Sequence, residues 1–424
     1  MPEALKNDYR KIINDPVYGF IPVGTPLLIR LVEHPWFQRL RRIRQLGLTY
    51  LVYPGANHTR FQHSLGAAYL MGETLHALRG KGIEITAGEE LAATAAILLH
   101  DIGHGPFSHA LEETIIGGLS HEQLSLMFMQ QLNEETEGLL EDAIRIFRGN
   151  YGRKFLNELI SGQLDMDRLD YLQRDSYFTG VSEGVIGLER IIKMLNVRDD
   201  ELVVEVKGIY SIEKFVLARR MMYWQVYFHK TVVAAEQLLL KILARAHLLA
   251  RAGKELFTTP ALHYFLYGEY PSHDPGHLQA EERRELLAHF ALLDDNDIIA
   301  SAKVWSQEKD VVLADLCDRL INRKLFHVEI QDHPFPGEKV REIRRRMMKD
   351  TGLSEEDTAS FVFTNTISNY AYSPSGHQIR ILRKDGSVKD ITEVSEIMDE
   401  QIISRIVEKH IFCYPKEYLS DQSS

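Results

Sequence analysis

His63, the adjacent pair His100-Asp101 and Asp167 are the residues of this chain best suited to chemistry. Imidazole and carboxylate together make a set that suits a divalent ion such as Mn, Fe, Zn, Ni or Mg. With four protein ligands, a six-coordinate ion retains water, and retained water can become a nucleophile. The four residues sit in dense text: HTRFQHSLG at His58–Gly66, LLHDIGHGPFSH at Leu98–His109, HEQ at His121, and LDMDRLDYLQRD at Leu164–Asp175. Three further histidines, His104, His109 and His121, follow the pair closely.

A His-Asp dipeptide alone carries little weight in a chain with 18 histidines among 424 residues, and a second one occurs at His273-Asp274. That copy lies in YPSHDPGH, where Pro and Gly signal a loop, and no histidine cluster accompanies it. The pair at position 100 instead ends an apolar helical run, LAATAAILL, and precedes Gly103 and Gly105, which allow close backbone approach.

The elements that must position these groups read as mostly helical. Residues 5 to 30 predict a short polar helix followed by DPVYGFIPVG, a turn or short strand, and LLIRLVEHPWFQRLRRIRQL predicts a helix broken at Pro35. From about 63 to 250 most segments have helical spacing, and residues 211–250 read as one long helix central to the core. LVVEV at Leu202–Val206, followed by Gly208, predicts a strand leading into a hairpin. GEYPSHDPGH at Gly268–His277 is the candidate boundary, beyond which helices such as DNDIIASAKVWS alternate with the β-like FHVEI, FVFTN and QIRILRKDGSVKDI, where Asp385-Gly386 is a hairpin turn. REIRRRMMK at Arg341–Lys349 reads as a solvated helix face. The expected fold is therefore mainly α, with a helical catalytic core over residues 1–267 and a smaller mixed α+β region over 268–424.

Composition narrows the functions. A net charge of −11 argues against nucleic acid or an anionic membrane as the principal partner, since both attract a basic field. No apolar run of about 18 residues and no secretory leader are present, which suggests the cytoplasm. Cys317 and Cys413 are the only cysteines, too few for a disulfide framework or a thiolate zinc site.

FQRLRRIRQLG with the later RFQHSLG, HDIGHGPFSH and LDMDRLDYLQRD resembles the HD-domain phosphohydrolase superfamily, and within it the deoxynucleoside triphosphate triphosphohydrolases. The resemblance runs from about Asp15 to Lys230, with a weaker echo in DLCDRLINRKLF. It implies a metal on His63, His100, Asp101 and Asp167. It implies triphosphate contacts at Arg60, Arg168, Tyr171 and Arg219, and a fit of Gln45 and Leu46 against the 3′ side of the deoxyribose. His104, His109, His121 and Glu122 match a histidine-rich catalytic wall. Arg60 and Arg168 alone would read as surface ion pairs, but each lies within three residues of an expected ligand. Tyr171 and Tyr227 join the substrate side chains, though each reads equally well as a core aromatic.

The implied reaction is attack at the α-phosphorus, releasing deoxynucleoside and inorganic tripolyphosphate. His121 is the expected general acid, with Glu122 or another nearby carboxylate fixing its tautomer and His104 and His109 on the α-phosphate; His104 is the alternative acid. The branch also implies a homo-dimer or homo-tetramer with a GTP or dNTP activator between subunits, near Glu33, Gln38 and Arg41. Glu33 stands where vertebrate members carry aspartate, and Tyr223 where they carry histidine, which puts both the identity and the existence of an activator in doubt. The competing classes are an HD-type phosphodiesterase or general nucleotide phosphohydrolase, and a nucleotide sensor without catalysis.

Overall fold

The structure is a computed structural model that describes residues 11–107, 119–268, 279–369, 378–398 and 407–419, and within them the chain is mainly α-helical. It opens on a hairpin, with β1 (Lys11–Asp15) antiparallel to β2 (Gly19–Val23). The polar helix expected here is thus a strand from Lys11 onward. Asp15 closes the turn by accepting from Val17 N at 2.9 Å and Tyr18 N at 3.0 Å, a local bond that competes with helix. α1 (Pro26–Glu33) is capped by Thr25 and stops before Pro35, as the sequence indicates. Residues 43–45 then run beside 58–60, with Gln45 N donating to His58 O and Arg60 N to Ile43 O, each at 3.0 Å.

The core helices follow: α2 (Arg60–Arg79), α3 (Ala87–Leu99), α4 (His121–Glu135), α5 (Lys154–Ser161) and α6 (Met166–Thr179). Capping boxes start α2, α3 and α4, formed by Thr59 with Gln62, Thr86 with Glu89, and Ser120 with Gln123. α2 packs against both α3 and α6. The buried Ala92, Ala93, Ala95 and Ala96 keep the α3 surface shallow, so its backbone and that of α2 come close.

The expected long helix over 211–250 is two. α7 (Ile209–Met222) passes into a π-helical turn at Tyr223–Tyr227, where Phe228 N donates to Tyr223 O at 2.7 Å, and α8 (Lys230–Arg251) begins after it. His229 caps α8 by accepting from Thr231 N at 3.2 Å. A second correction concerns the hairpin near 202: β3 (Leu195–Arg198) precedes β4 (Glu201–Glu205), and the turn is Asp199-Asp200, with φ of 52° and 61°. Such a turn needs left-handed backbone at both residues, which Asp tolerates. Gly208 instead leads directly into α7.

Beyond residue 279 helices and strands mix as expected. α9 (Asp295–Trp305) and α10 (Gly337–Thr351) contain DNDIIASAKVW and the arginine-rich run. β5 (His327–Gln331) and β6 (Phe363–Asn369) flank β9 (Val407–Tyr414) in a three-stranded sheet. β7 (Arg380–Leu382) turns through Asp385-Gly386 into β8 (Val388–Asp390), and β7 also pairs in parallel with β4 through Val204 and Ile381. Positions 269–277 of the expected boundary, including His273-Asp274, lie outside the described residues. No helix among the described residues is long and apolar enough to cross a membrane. Both cysteines are buried and free.

Candidate active site

Helices and a loop gather His63, His100 and Asp101 into one group, with Asp167 beside the two histidines, 3.1 and 3.7 Å from their Nε2 atoms. His63 lies one turn into α2, His100 and Asp101 end α3, and Asp167 lies in the first turn of α6. Ligand atoms of His63, His100 and Asp101 fall within 4.8 Å of one another. His63 Nε2 is 3.3 Å from His100 Nε2 and 3.1 Å from Asp167 Oδ1, and His100 Nε2 is 3.3 Å from Asp101 Oδ1. Bonds of about 2.1 Å at right angles would separate neighbouring ligand atoms by about 3 Å, so these spacings suit a divalent ion.

The donor chemistry fits a cation independently. His63 Nδ1 donates to Asp170 Oδ2 at 2.7 Å and His100 Nδ1 to the Ile97 carbonyl at 2.6 Å. Both ring protons point away from the cluster, so both Nε2 lone pairs face inward, among the carboxylates of Asp101 and Asp167. That arrangement is repulsive without positive charge at its centre, which a bound cation or, without one, a second proton on His63 supplies. Burial alone would depress the basicity of His63, yet Asp167, Asp170 and Asp101 override it and push its pKa up to about 10. Burial would likewise raise the Asp167 carboxyl, but His100 and His63 hold it well below the usual range. The Asp167 side chain is 30% exposed and His63 fully buried, so the cluster opens toward solvent on the Asp167 side.

The neighbours divide clearly. Arg60 Nη1 donates to Asp101 Oδ2 at 2.6 Å, pinning the oxygen that His100 does not face. His104 Nε2 lies 3.2 Å from Asp101 Oδ1 and its ring stacks on His121, with centroids 3.9 Å apart and planes 17° apart. Burial, aided by Arg60, holds His104 well below the ordinary imidazole pKa. Glu122 is mostly exposed and its Oε1 is 3.5 Å from His121 Nε2, too far for the tautomer-fixing hydrogen bond expected of it. His109 lies outside the described residues.

Gly103 explains how α4 reaches the cluster. A Cβ there would lie 2.2 Å from Ser125 N and 2.3 Å from His121 O, so the loop meets α4 backbone to backbone. Ser125 Oγ locks the junction, accepting from Gly103 N at 2.9 Å and donating to His100 O at 2.6 Å.

On the other side, Arg168 Nη1 donates to Gly162 O at 2.7 Å and pairs with Asp165, the N-cap of α6. Arg219 is buried, donates from Nη1 to the neutral Gln163 at 3.3 Å, and among the described residues its Nε has no partner, while its charge helps hold down the buried Asp165 carboxyl. Tyr171 and Tyr227 meet edge to face at 6.4 Å, and Tyr227 OH donates to Asp175 Oδ2 at 2.7 Å. Gln45 reaches the start of α2 through the paired segments above, and among the described residues its buried Oε1 has no partner; Leu46 beside it is partly buried. A separate cleft lined by Glu158, Gln163, Leu202 and Arg380 contains none of the expected site residues.

Sequence reasoning missed the supports. Arg39 is wholly buried and donates to the carbonyls of Ile102 at 2.8 Å, His104 at 2.9 Å and Leu293 at 3.0 Å, which fixes the loop after His100. Burial pulls its pKa down to about 9. Asp175 is held by His58 Nε2 at 2.7 Å. Asp170, Arg174 and Asp15 form a further buried chain behind His63. Only the full pattern LDMDRLDYLQRD, with acids at 167, 170 and 175, signalled that several carboxylates share one helix.

Comparison with known proteins agrees with this geometry. Residues 60–175 match the HD domain and residues 186–256 the HD associated region. The chain is 34% identical to the uncharacterized protein YwfO of Bacillus subtilis, over 97% of this chain and 93% of that one. It is 36% identical to the deoxynucleoside triphosphate triphosphohydrolase SAMHD1 of Homo sapiens, over 45% of this chain but only 36% of that protein. A solved phosphohydrolase structure from Bacteroides thetaiotaomicron superposes with a TM-score of 0.91 at 51% identity, covering 96% of this chain and all of that one. The chain belongs to the HD-domain phosphohydrolases.

Proposed function

We propose that the protein hydrolyses deoxynucleoside triphosphates to deoxynucleoside and inorganic tripolyphosphate. The observation that carries this reading is Arg219: among the described residues this buried guanidinium donates to the neutral Gln163, its Nε has no partner, and the nearby Asp165 is already paired with Arg168, which leaves Arg219 able to take up an anion. Its partner Gln163 lies in the loop from which α6 departs with Asp167, Arg168 and Tyr171, so an anion held by Arg219 would lie near the start of α6. Similarity to a protein named for dNTP hydrolysis supports the same reading.

His63, His100, Asp101 and Asp167 would hold the divalent ion. When bound, such an ion acidifies water and polarises a phosphoryl oxygen. Arg60 orients Asp101 and adds positive charge beside the scissile group. Arg219 holds the phosphate chain. Arg168, already neutralised by Asp165, fixes the loop and contributes less to anion binding. His121 donates the proton to the departing 5′-oxygen: it is a quarter exposed and able to exchange with solvent, whereas the nitrogen of His104 is engaged by Asp101. Gln45 Oε1, with Leu46, meets the sugar's 3′ side, and Tyr171 and Tyr227 floor the pocket.

Metal-loaded protein incubated with the four dNTPs, the four NTPs and cyclic dinucleotides, singly and mixed, tests the reading by anion-exchange separation of products. Tripolyphosphate from dNTPs is expected. Cleavage of cyclic dinucleotides alone would replace the proposal with a phosphodiesterase. Sugar selectivity gives a second test. A 2′-hydroxyl placed against Leu46 and the tyrosines without a partner loses about 1–3 kcal/mol, so kcat/KM for dGTP should exceed that for GTP at least about tenfold. Equal values would overturn the sugar assignment and leave the metal cluster untouched.

Assembly belongs to the same proposal. The outer face of the N-terminal hairpin exposes Ile12 and Phe20, 61% and 74% accessible, beside the segment carrying Glu33, Gln38 and Arg41. Light scattering with and without GTP or mixed dNTPs should show a dimer or tetramer that nucleotide strengthens. A monomer with hyperbolic kinetics on one pure dNTP would remove interfacial activation from the proposal.

A further inference from the structure

The side of His63 that faces away from the cluster is as carefully built as the side that faces it. His63 Nδ1 donates to Asp170 Oδ2 at 2.7 Å. Arg174 grips the same carboxylate with two bonds, Nε to Oδ2 at 2.9 Å and Nη2 to Oδ1 at 3.0 Å. Its Nη1 continues to Asp15 Oδ2 at 2.8 Å, on the last residue of β1. His63, Asp170 and Arg174 are wholly buried, and Asp15 nearly so.

We propose that Asp170 positions the metal ligand His63 and that Arg174 and Asp15 hold Asp170 in place, which makes the N-terminal hairpin a working part of the metal centre. This rests on the reading of the quartet as a metal site.

Three features argue for positioning over simple cohesion. A buried ion-pair chain is a poor source of stability, because apolar side chains of the same volume do as well without the desolvation cost. The chain is also unbalanced: two carboxylates face one guanidinium, which leaves one negative charge whose outlet is the His63 ring. A carboxylate accepting from Nδ1–H fixes the tautomer, aims Nε2 and raises its basicity toward a cation. Finally, α2 gives up a side chain to admit the chain. A Cβ on Gly66, one turn beyond His63, would lie 1.9 Å from Asp170 Oδ1 and 2.3 Å from Arg174 Nη2.

The test is Mn2+ affinity, read by electron paramagnetic resonance and calorimetry on the full chain, independently of turnover. Asp170→Asn keeps the shape and loses the charge; its Mn2+ Kd should rise about 10–100-fold. Asp15→Asn, at the far end and touching no ligand, can still accept from Val17 N and Tyr18 N but grips Arg174 less; a rise of about 3–10-fold is expected. Leu75→Ala, in the buried face of α2, should lower Tm and leave Mn2+ affinity unchanged. A folded Asp170→Asn protein with wild-type Kd overturns the inference, as does an equal loss of affinity in Leu75→Ala. Should Asp170→Asn not fold, wild-type affinity in Asp15→Asn overturns it. If neither wild type nor His100→Ala bound Mn2+, the metal reading itself would fall; wild-type binding that the two asparagine variants leave intact would remove only the positioning role.

Discussion

Asp167→Ala and His100→Ala should each lose the bound metal and all measurable hydrolysis while keeping the helical fold. Each removes one of four donors from a cluster whose ligand atoms already sit at coordination spacing, so the affinity lost should exceed the roughly 10–100-fold that an outer hydrogen-bond partner commands. The fold should survive for local reasons. Asp167 is partly exposed and the cap of α6 is Asp165, while His100 follows an α3 whose core face is formed by its own alanines, isoleucine and leucines. Metal analysis after dialysis, with circular dichroism alongside, decides it. Full metal content and turnover in either variant would dismantle the four-ligand assignment.

His121→Ala should keep the metal, still bind dNTP, and turn over about 10²–10⁴-fold more slowly, since proton donation to a departing oxygen is typically worth that much. The ring it removes is stacked on His104 and attached to the first residue of α4, whose start is fixed separately by Ser120 and Gln123, so little else should change. Single-turnover kinetics would separate the chemical step from binding. Normal turnover would transfer the acid's role to another histidine.

What could be read from the chain beforehand was whatever lies in contiguous text. HDIGHGPFSH and LDMDRLDYLQRD announce themselves, because histidines and acids crowded beside apolar runs are costly unless they have partners or a ligand. Helices with conventional caps, such as α3 after Thr86, were equally legible. Supports that join distant segments were not. Asp15 and Arg174 are 159 positions apart, as His58 and Asp175 are 117 apart, and each in its own neighbourhood reads as an ordinary polar residue. The break between α7 and α8 had no Gly or Pro to mark it, and the residue that caps α8 is a histidine, which no helix-start rule favours. Strand β1 was misread because five residues carry no reliable period.

The turn at Tyr223–Tyr227 is, in the arithmetic of a helix, one residue too many. Removing a single residue there would take out the π-turn and rotate the residues after it by about 100° about the α7 axis, while His229, with ψ of 129°, would still separate α7 from α8. Tyr227 would then leave Asp175, and with it the wall shared with Tyr171 would come apart. The irregular turn and the placement of Tyr227 against Asp175 therefore belong together. A redesign that straightened this turn would give up the Tyr227–Asp175 bond and the edge-to-face contact with Tyr171 in exchange for regular helix.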